Sequence, residues 1–223
     1  MSESYCAVIV AAGAGVRMQG SDKLFSVVAG RPLLAHTIAA FEACWDIERI
    51  AVVMSEANLD RGRRVVAESG CQKVTAVCTG GPRRQDSVLC GLRNLGPCDW
   101  VAVHDGGRPM IRPGMIYSAR EAARETGAAV PVIPVTSTIK EIDDTGAVVR
   151  TLDRARLVAV QTPQVFRYDL LLRAHEEVTD DVTDDAAMVE RLGVRVITFE
   201  GRERNIKITT PEDIHLAEAY LSY

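Results

Sequence analysis

Nowhere in the 223 residues is there an uninterrupted apolar run of the ~18 positions that a membrane-crossing helix needs. The N-terminus has no basic segment leading into an apolar stretch and a cleavage site, so a cytoplasmic protein without a signal peptide is expected. Positive charge is in no excess: 26 Lys and Arg stand against 30 Asp and Glu, a net charge of −4, which argues against a nucleic-acid-binding face. The six cysteines show no C-x-x-C spacing and several sit in apolar runs, and the four histidines are scattered. Neither a disulfide framework nor a structural metal site is therefore expected. Two phosphate loops are also missing. No Gly-Lys pair exists to complete a Walker A loop, and the third glycine of a dinucleotide fingerprint is replaced by Met18.

What is present begins with Tyr5-Cys6-Ala7-Val8-Ile9-Val10, an apolar, β-branched run that reads as a buried strand. It leads into Ala11-Ala12-Gly13-Ala14-Gly15-Val16-Arg17-Met18, with Lys23 a little further on. Small residues let backbone N–H groups approach a ligand, and Arg17 and Lys23 add positive charge. That combination suits a polyphosphate; a plain strand-to-loop turn explains the glycines equally well.

Strand and helix patterns then alternate. Helical spacing marks Pro32 to Cys44, Leu59 to Glu68, Arg84 to Leu95 and about Pro113 to Glu125. Strands are expected at Ile50–Met54, Val74–Cys78, Trp100–Asp105 and Ala128–Val135. Such alternation predicts an α/β fold, a mostly parallel twisted sheet with helices on both faces, and ligands in it lie beyond the carboxyl ends of the strands. Ile139–Ile142 and Val148–Thr151 flank Asp143-Asp144-Thr145-Gly146 as a hairpin with too few apolar residues to be core. A hairpin arm at about 136–154, projecting from a single domain over 1–223 and packing on a dimer partner, is the expectation. Further on, Thr183 opens a helix that stops at Gly193. Val194–Phe199 and Asn205–Thr209 read as strands, and Thr210-Pro211-Glu212-Asp213 starts a last helix.

Three groups of residues carry chemistry. Gly80-Gly81-Pro82-Arg83-Arg84-Gln85-Asp86-Ser87 spans a strand end and a helix start; its glycines permit close approach to a base, and Arg83 reads as solvated. In His104-Asp105-Gly106-Gly107-Arg108-Pro109, Asp105 lies at the mouth of the sheet, where a ribose or metal would lie, Arg108 could grip a phosphate, and His104 reads as a satisfied, half-buried side chain. Lys207, between two isoleucines, is costly unless its ammonium reaches water or an anion; an edge-strand lysine is the competing explanation.

In order along the chain, Ala-Ala-Gly-x-Gly-x-Arg-Met, the following Lys23, Gly80 to Leu92, His104 to Pro109, Asp153-Arg154, Thr162-Pro163-Gln164, Thr183-Asp184 and Asn205 to Thr209 resemble the 2-C-methyl-D-erythritol 4-phosphate cytidylyltransferase family, over about positions 5 to 222. The resemblance implies the sugar nucleotidyltransferase fold, a Rossmann variant. It also implies transfer of a cytidylyl group from CTP to a polyol phosphate, with Mg²⁺ as cofactor and a homodimer with exchanged arms. Arg17, Lys23, Arg154 and Lys207 would be the catalytic cations. Ala11, Ala12, Gly13 and Gly15 would wrap the triphosphate, Gly81 and Ser87 contact the cytosine, and Asp105 and Gly106 sit at the ribose and metal end. Arg154, Lys207 and Thr183 would position the acceptor, with Thr138 and Arg108 reaching it across the dimer. Asp105 would touch a metal held mainly by CTP phosphates.

The chain departs from the family pattern at Ser21-Asp22 before Lys23, at Gly106-Gly107 in place of Ala-Ala, and at Ser137 in place of Asp. Three alternatives share some of these features. A cytidylyltransferase for a pentitol phosphate such as ribitol 5-phosphate shares most of the motifs. A guanylyl- or sugar nucleotidyltransferase shares the fold. A silent nucleotide-binding regulatory protein, disabled by Asp22 pairing with Lys23, belongs to another class.

Overall fold

A computed structural model describes residues 3–13 and 23–221. β1 (Tyr5–Ala11) is an interior strand of the sheet. After it, β2 (Val27–Val28) and β3 (Arg31–Pro32) form a small ladder that feeds α1 (Leu33–Glu42), with Pro32 immediately before the first turn. There follow β4 (Ile47–Met54), α2 (Leu59–Ser69), β5 (Val74–Thr79), α3 (Arg84–Leu95), β6 (Trp100–Asp105), α4 (Pro113–Ala123) and β7 (Ala128–Pro134). The chain then leaves the sheet as the hairpin β8 (Lys140–Ile142) and β9 (Val148–Thr151). It returns through β10 (Val158–Val160), β11 (Gln164–Arg167), α5 (Tyr168–Glu177), α6 (Asp185–Arg191), β12 (Ile197–Glu200) and α7 (Pro211–Leu221).

β5, β4, β1 and β6 lie side by side and parallel. β11 then enters antiparallel between β6 and β7, and β12 runs parallel to β7. β10 pairs with β7 upstream of β11 in the same antiparallel sense, and the Gln161 N–H donates to the Pro131 carbonyl between them. The two are thus one strand line broken at Thr162-Pro163, whose peptide bond is cis.

Strand alternation decides which helices cover which face. Tyr5, Ala7, Ile9 and Ala11 face one core with Leu34, Ile38 and Phe41 of α1 and Met115, Ile116 and Ala119 of α4. Cys6 and Val8 face the other, with Val88 and Leu92 of α3, Leu171 of α5 and Met188 and Val189 of α6. Both faces are therefore sealed, and only the strand ends remain for a ligand.

Sequence reading and structure part in several places. Asn205–Thr209 forms no strand; it is tied by single bonds, with the Ile208 N–H donating to the Gly107 carbonyl. The helix expected from Thr183 begins at Asp185, because the Asp184 carboxylate accepts from the Ala187 N–H as its cap. Helix α5 was not expected, although Tyr168, Leu171 and Ala174 recur on its buried side. The hairpin lies fully at the surface, with Ile142, Val148 and Val149 exposed.

Candidate active site

The ends of β6, β10 and β11, the start of α3 and the loops at 108, 183 and 207 meet at a cavity of about 320 Å³, lined by Arg84, Asp105, Arg108, Thr162, Thr183 and Lys207 among others. Asp105 is its hub. As the last residue of β6 it points its carboxylate out of the sheet, where the Lys207 Nζ lies 2.9 Å from Oδ2, the Arg84 Nε 3.3 Å from Oδ1 and the Arg108 Nε 3.7 Å from Oδ2. Burial alone would raise the Asp105 pKa; Arg84, Lys207 and Arg108 outweigh it and hold the carboxyl well below the usual carboxylate range. The cost of placing Lys207 between two isoleucines is met here: its ammonium reaches an anion.

Behind the cluster, the Arg84 Nη1 lies 2.6 Å from Oδ2 of Asp185, whose side chain is 0% exposed. His175 Nε2 of α5 sits 3.4 Å from the other oxygen, Oδ1. Burial would push the Asp185 carboxyl up, but the guanidinium of Arg84 and then His175 bring it below its ordinary value. Burial likewise opposes the charge on Arg84, and Asp185 and Asp105 more than restore it. Arg84 is therefore a fixed cation wedged between two carboxylates. Its neighbour Arg83 is different: it lies at the surface, bonding Asp86, Asp181 and the Thr179 carbonyl, and so staples the 179–183 loop to α3.

The opening loop meets this cluster through close backbone packing. A Cβ on Gly106 would sit 3.2 Å from both the Ala11 Cβ and the Val10 carbonyl oxygen, so glycine lets the ends of β1 and β6 converge. A Cβ on Gly80 would lie 2.8 Å from the Ala12 Cβ and 2.5 Å from the Ser87 Oγ, which brings the Gly80-Gly81 turn against the same loop. Ser87 is buried and its hydroxyl faces the Gly81 and Arg83 carbonyls, so it shapes that turn. The Lys23 ammonium donates to the Ile208 carbonyl, one residue from Lys207. Lys23, Asp105, Gly106, Arg108, Thr183 and Lys207 are thus gathered, with Ala11, Ala12, Gly81 and Ser87 on the adjoining rim, while a Cβ on Gly13 would meet nothing within 4 Å. Gly15 and Arg17 lie outside the described residues, as does Asp22.

One expectation needs correcting. Arg108 lines the cavity of its own chain, and the 105–108 turn is closed by the Arg108 N–H donating to the Asp105 carbonyl. The Asp105 carboxylate is here engaged in ion pairs with Lys207, Arg84 and Arg108. Among the described residues no cluster of three His, Cys, Asp or Glu side chains could hold a metal. Arg154 and Thr138 are not brought to this cavity within one chain. Both are exposed at the base of the hairpin, where the Arg154 Nη1 donates to the Thr136 carbonyl at 2.6 Å.

The family model described as "IspD: 2-C-methyl-D-erythritol 4-phosphate cytidylyltransferase" matches residues 5–223. The chain belongs to this cytidylyltransferase family. A 2-C-methyl-D-erythritol 4-phosphate cytidylyltransferase of Dehalococcoides mccartyi (strain CBDB1) is 47% identical over 221 residues, spanning 99% of this chain and 97% of the relative. One from Clostridium perfringens (strain SM101 / Type A) is 41% identical over 218 residues, spanning 96% and 97%. Among solved structures, the family enzyme of Thermus thermophilus superposes with a TM-score of 0.78 at 34% identity, covering 100% of both chains. The 4-diphosphocytidyl-2C-methyl-D-erythritol synthase of Anaerococcus prevotii gives 0.86 at 30%, covering 99% of this chain and 97% of that one.

The sequence reading missed Arg84 and Asp185. Arg84 was part of the quoted cytidylyltransferase motif, but an arginine pair after Gly-Gly-Pro looks solvated. Asp185 follows directly on Thr183-Asp184, where a helix start already accounts for the acidic pair, and its partner lies 101 residues away.

Proposed function

We propose that the protein transfers the cytidylyl group of CTP to 2-C-methyl-D-erythritol 4-phosphate, giving 4-diphosphocytidyl-2-C-methyl-D-erythritol and pyrophosphate. The observation that carries this reading is the cation cluster Arg84, Arg108 and Lys207 on Asp105, in a chain matched from end to end by the cytidylyltransferase family. The acceptor phosphate, with a second pKa near about 6, is already a nucleophile at neutral pH, so no strong base is needed. Two polyanions must instead be brought together while charge grows on the α-phosphate and the leaving pyrophosphate. Positioned cations are the parts for that work.

In this reading Lys23, with Arg17, faces the triphosphate, and the Gly80-Gly81 turn receives the base. Lys207, the cluster's most open member with a side chain 43% exposed, turns to the acceptor phosphate. Mg²⁺ enters on the triphosphate oxygens, the described residues offering no cage for it. The exposed Ile142, Val148 and Val149 of the hairpin pack on a second copy, and the exchanged arms carry Arg154 and Thr138 to the partner's cavity. The protein works in the cytoplasm; no helix among the described residues is long and apolar enough to cross a membrane.

Incubation with CTP, Mg²⁺ and either methylerythritol phosphate or ribitol 5-phosphate, followed by pyrophosphate release, tests the activity and the acceptor together. Release only with ribitol 5-phosphate would reassign the acceptor. Release with neither, despite CTP binding, would favour a silent nucleotide-binding protein.

A further inference from the structure

His104 is 0% exposed, yet it makes two polar contacts that lead straight to the cavity. Its Nδ1 lies 3.0 Å from the Thr162 Oγ1, and its Nε2 lies 3.2 Å from the Arg108 carbonyl oxygen. Its ring packs on Phe41, centroids 5.1 Å apart. The Thr162 Oγ1 in turn accepts the Asp105 N–H at 3.1 Å.

These contacts fix where the protons are. With one lone pair taken by the Asp105 N–H, the single hydroxyl proton of Thr162 has the His104 Nδ1 as its acceptor among the described residues. Nδ1 is then bare, and Nε2 carries the proton and donates to the Arg108 carbonyl. The opposite tautomer would set the Nε2 lone pair against that carbonyl oxygen and leave the threonine proton without an acceptor.

We propose that His104 is a positioning residue for the cytidylyl transfer: as the neutral Nε2–H tautomer it locks the Thr162-Pro163 bend, the Asp105 backbone and the Arg108 turn into one rigid wall of the cleft. No atom of His104 lines the cavity, but Asp105, Arg108 and Thr162 all do. A displacement of about 1 Å at such a wall costs on the order of 10²-fold in rate. The inference rests on the proposed activity, so it is tested by one structural readout that needs no turnover and one kinetic readout that does.

For the first, ¹⁵N NMR of histidine-labelled full-length protein should give His104 a protonated Nε2 and a bare Nδ1. A protonated Nδ1 would overturn the proposal, whatever the enzyme acts on. For the second, His104→Phe keeps the ring against Phe41 and removes both hydrogen bonds. It should melt near wild type, yet lose on the order of 10²-fold in kcat/KM for the acceptor. A residue that only fills space would keep wild-type turnover, and that result refutes positioning.

Should His104→Phe not fold, the Thr162 pair decides. Thr162→Val should lose a similar factor and Thr162→Ser, which retains the hydroxyl, should restore most of it; equal rates for the two would overturn the proposal. Because Thr162 also lines the cavity, the double variant His104→Phe/Thr162→Val should be no worse than the poorer single one. Multiplicative losses would mean that the two act separately. Absence of turnover in wild type, with the NMR result as expected, would sink the proposed activity and leave the wall intact.

Discussion

Replacing His104 by glutamine should remove a defined part of the protein's acid sensitivity. Burial pushes the imidazole from an ordinary 6.5 down to about 4, and the Asp105 carboxylate beside it recovers only a part. Between those values the unfolded chain takes up a proton that the folded protein refuses. Stability therefore falls as pH drops through 6.5 and levels off below about 4. Over the whole window the linkage amounts to about 3 kcal/mol, and between pH 7 and pH 5 to about 2 kcal/mol. Urea unfolding of wild type and His104→Gln at both pH values measures it. The histidine enzyme should lose about 2 kcal/mol more than the variant on acidification, whatever their difference at pH 7. Equal losses would show that His104 is protonated in the folded protein at pH 5, and the tautomer argument would fail with it.

Asp185→Asn should destabilise the fold by about 3–5 kcal/mol in urea unfolding, because it leaves the Arg84 guanidinium half-neutralised in the interior; an unchanged midpoint would contradict the pairing. Arg84→Lys keeps the charge but cannot bridge Asp105 and Asp185 at once, and kcat should fall on the order of 10²-fold, whereas Arg83→Ala should leave pyrophosphate release near wild type. Lys207→Met should raise the acceptor KM well beyond any change in CTP binding by calorimetry; matched losses would move Lys207 to the nucleotide side. Ile142→Asp with Val149→Asp should shift the proposed dimer to monomer in sedimentation velocity, and an unaltered species would refute pairing through the hairpin arms.

What could be read in advance was what is local. α3 and β6 have the bounds expected, Arg84–Leu95 and Trp100–Asp105, because short-range apolar spacing and flanking glycines define them. Asp105 could be singled out because a carboxylate ending a buried strand has only the sheet mouth to face. The features that escaped notice depend on distant partners. The sequence reading places no strand at Gln164–Arg167, where β11 enters antiparallel between β6 and β7 in the otherwise mostly parallel sheet. Gln85 illustrates the same limit. Its side-chain amide donates to the Asp180 carbonyl and its oxygen accepts from the Val182 N–H, nearly 100 residues on, which holds the loop bearing Thr183. Nothing around Gln85 in the chain announces either bond.

A cleft built for two polyanions faces a difficulty before its ligands arrive, since cations held out of water without partners are costly. The fold meets it with a graded arrangement. Arg84, its side chain 26% exposed, is held between Asp105 and Asp185, and the 0% exposed Asp185 gives it a partner that no ligand can displace. Arg108 is more enclosed, its side chain 12% exposed, and its Nη1 also donates to the Asn205 carbonyl. Lys207 is the most open of the three, and its partner Asp105 keeps two other cations when it leaves. An incoming phosphate can therefore take Lys207 without stranding a buried charge on either side of the exchange. For that reason acceptor recognition is expected to fail first at Lys207, and the architecture of the cleft at Asp185.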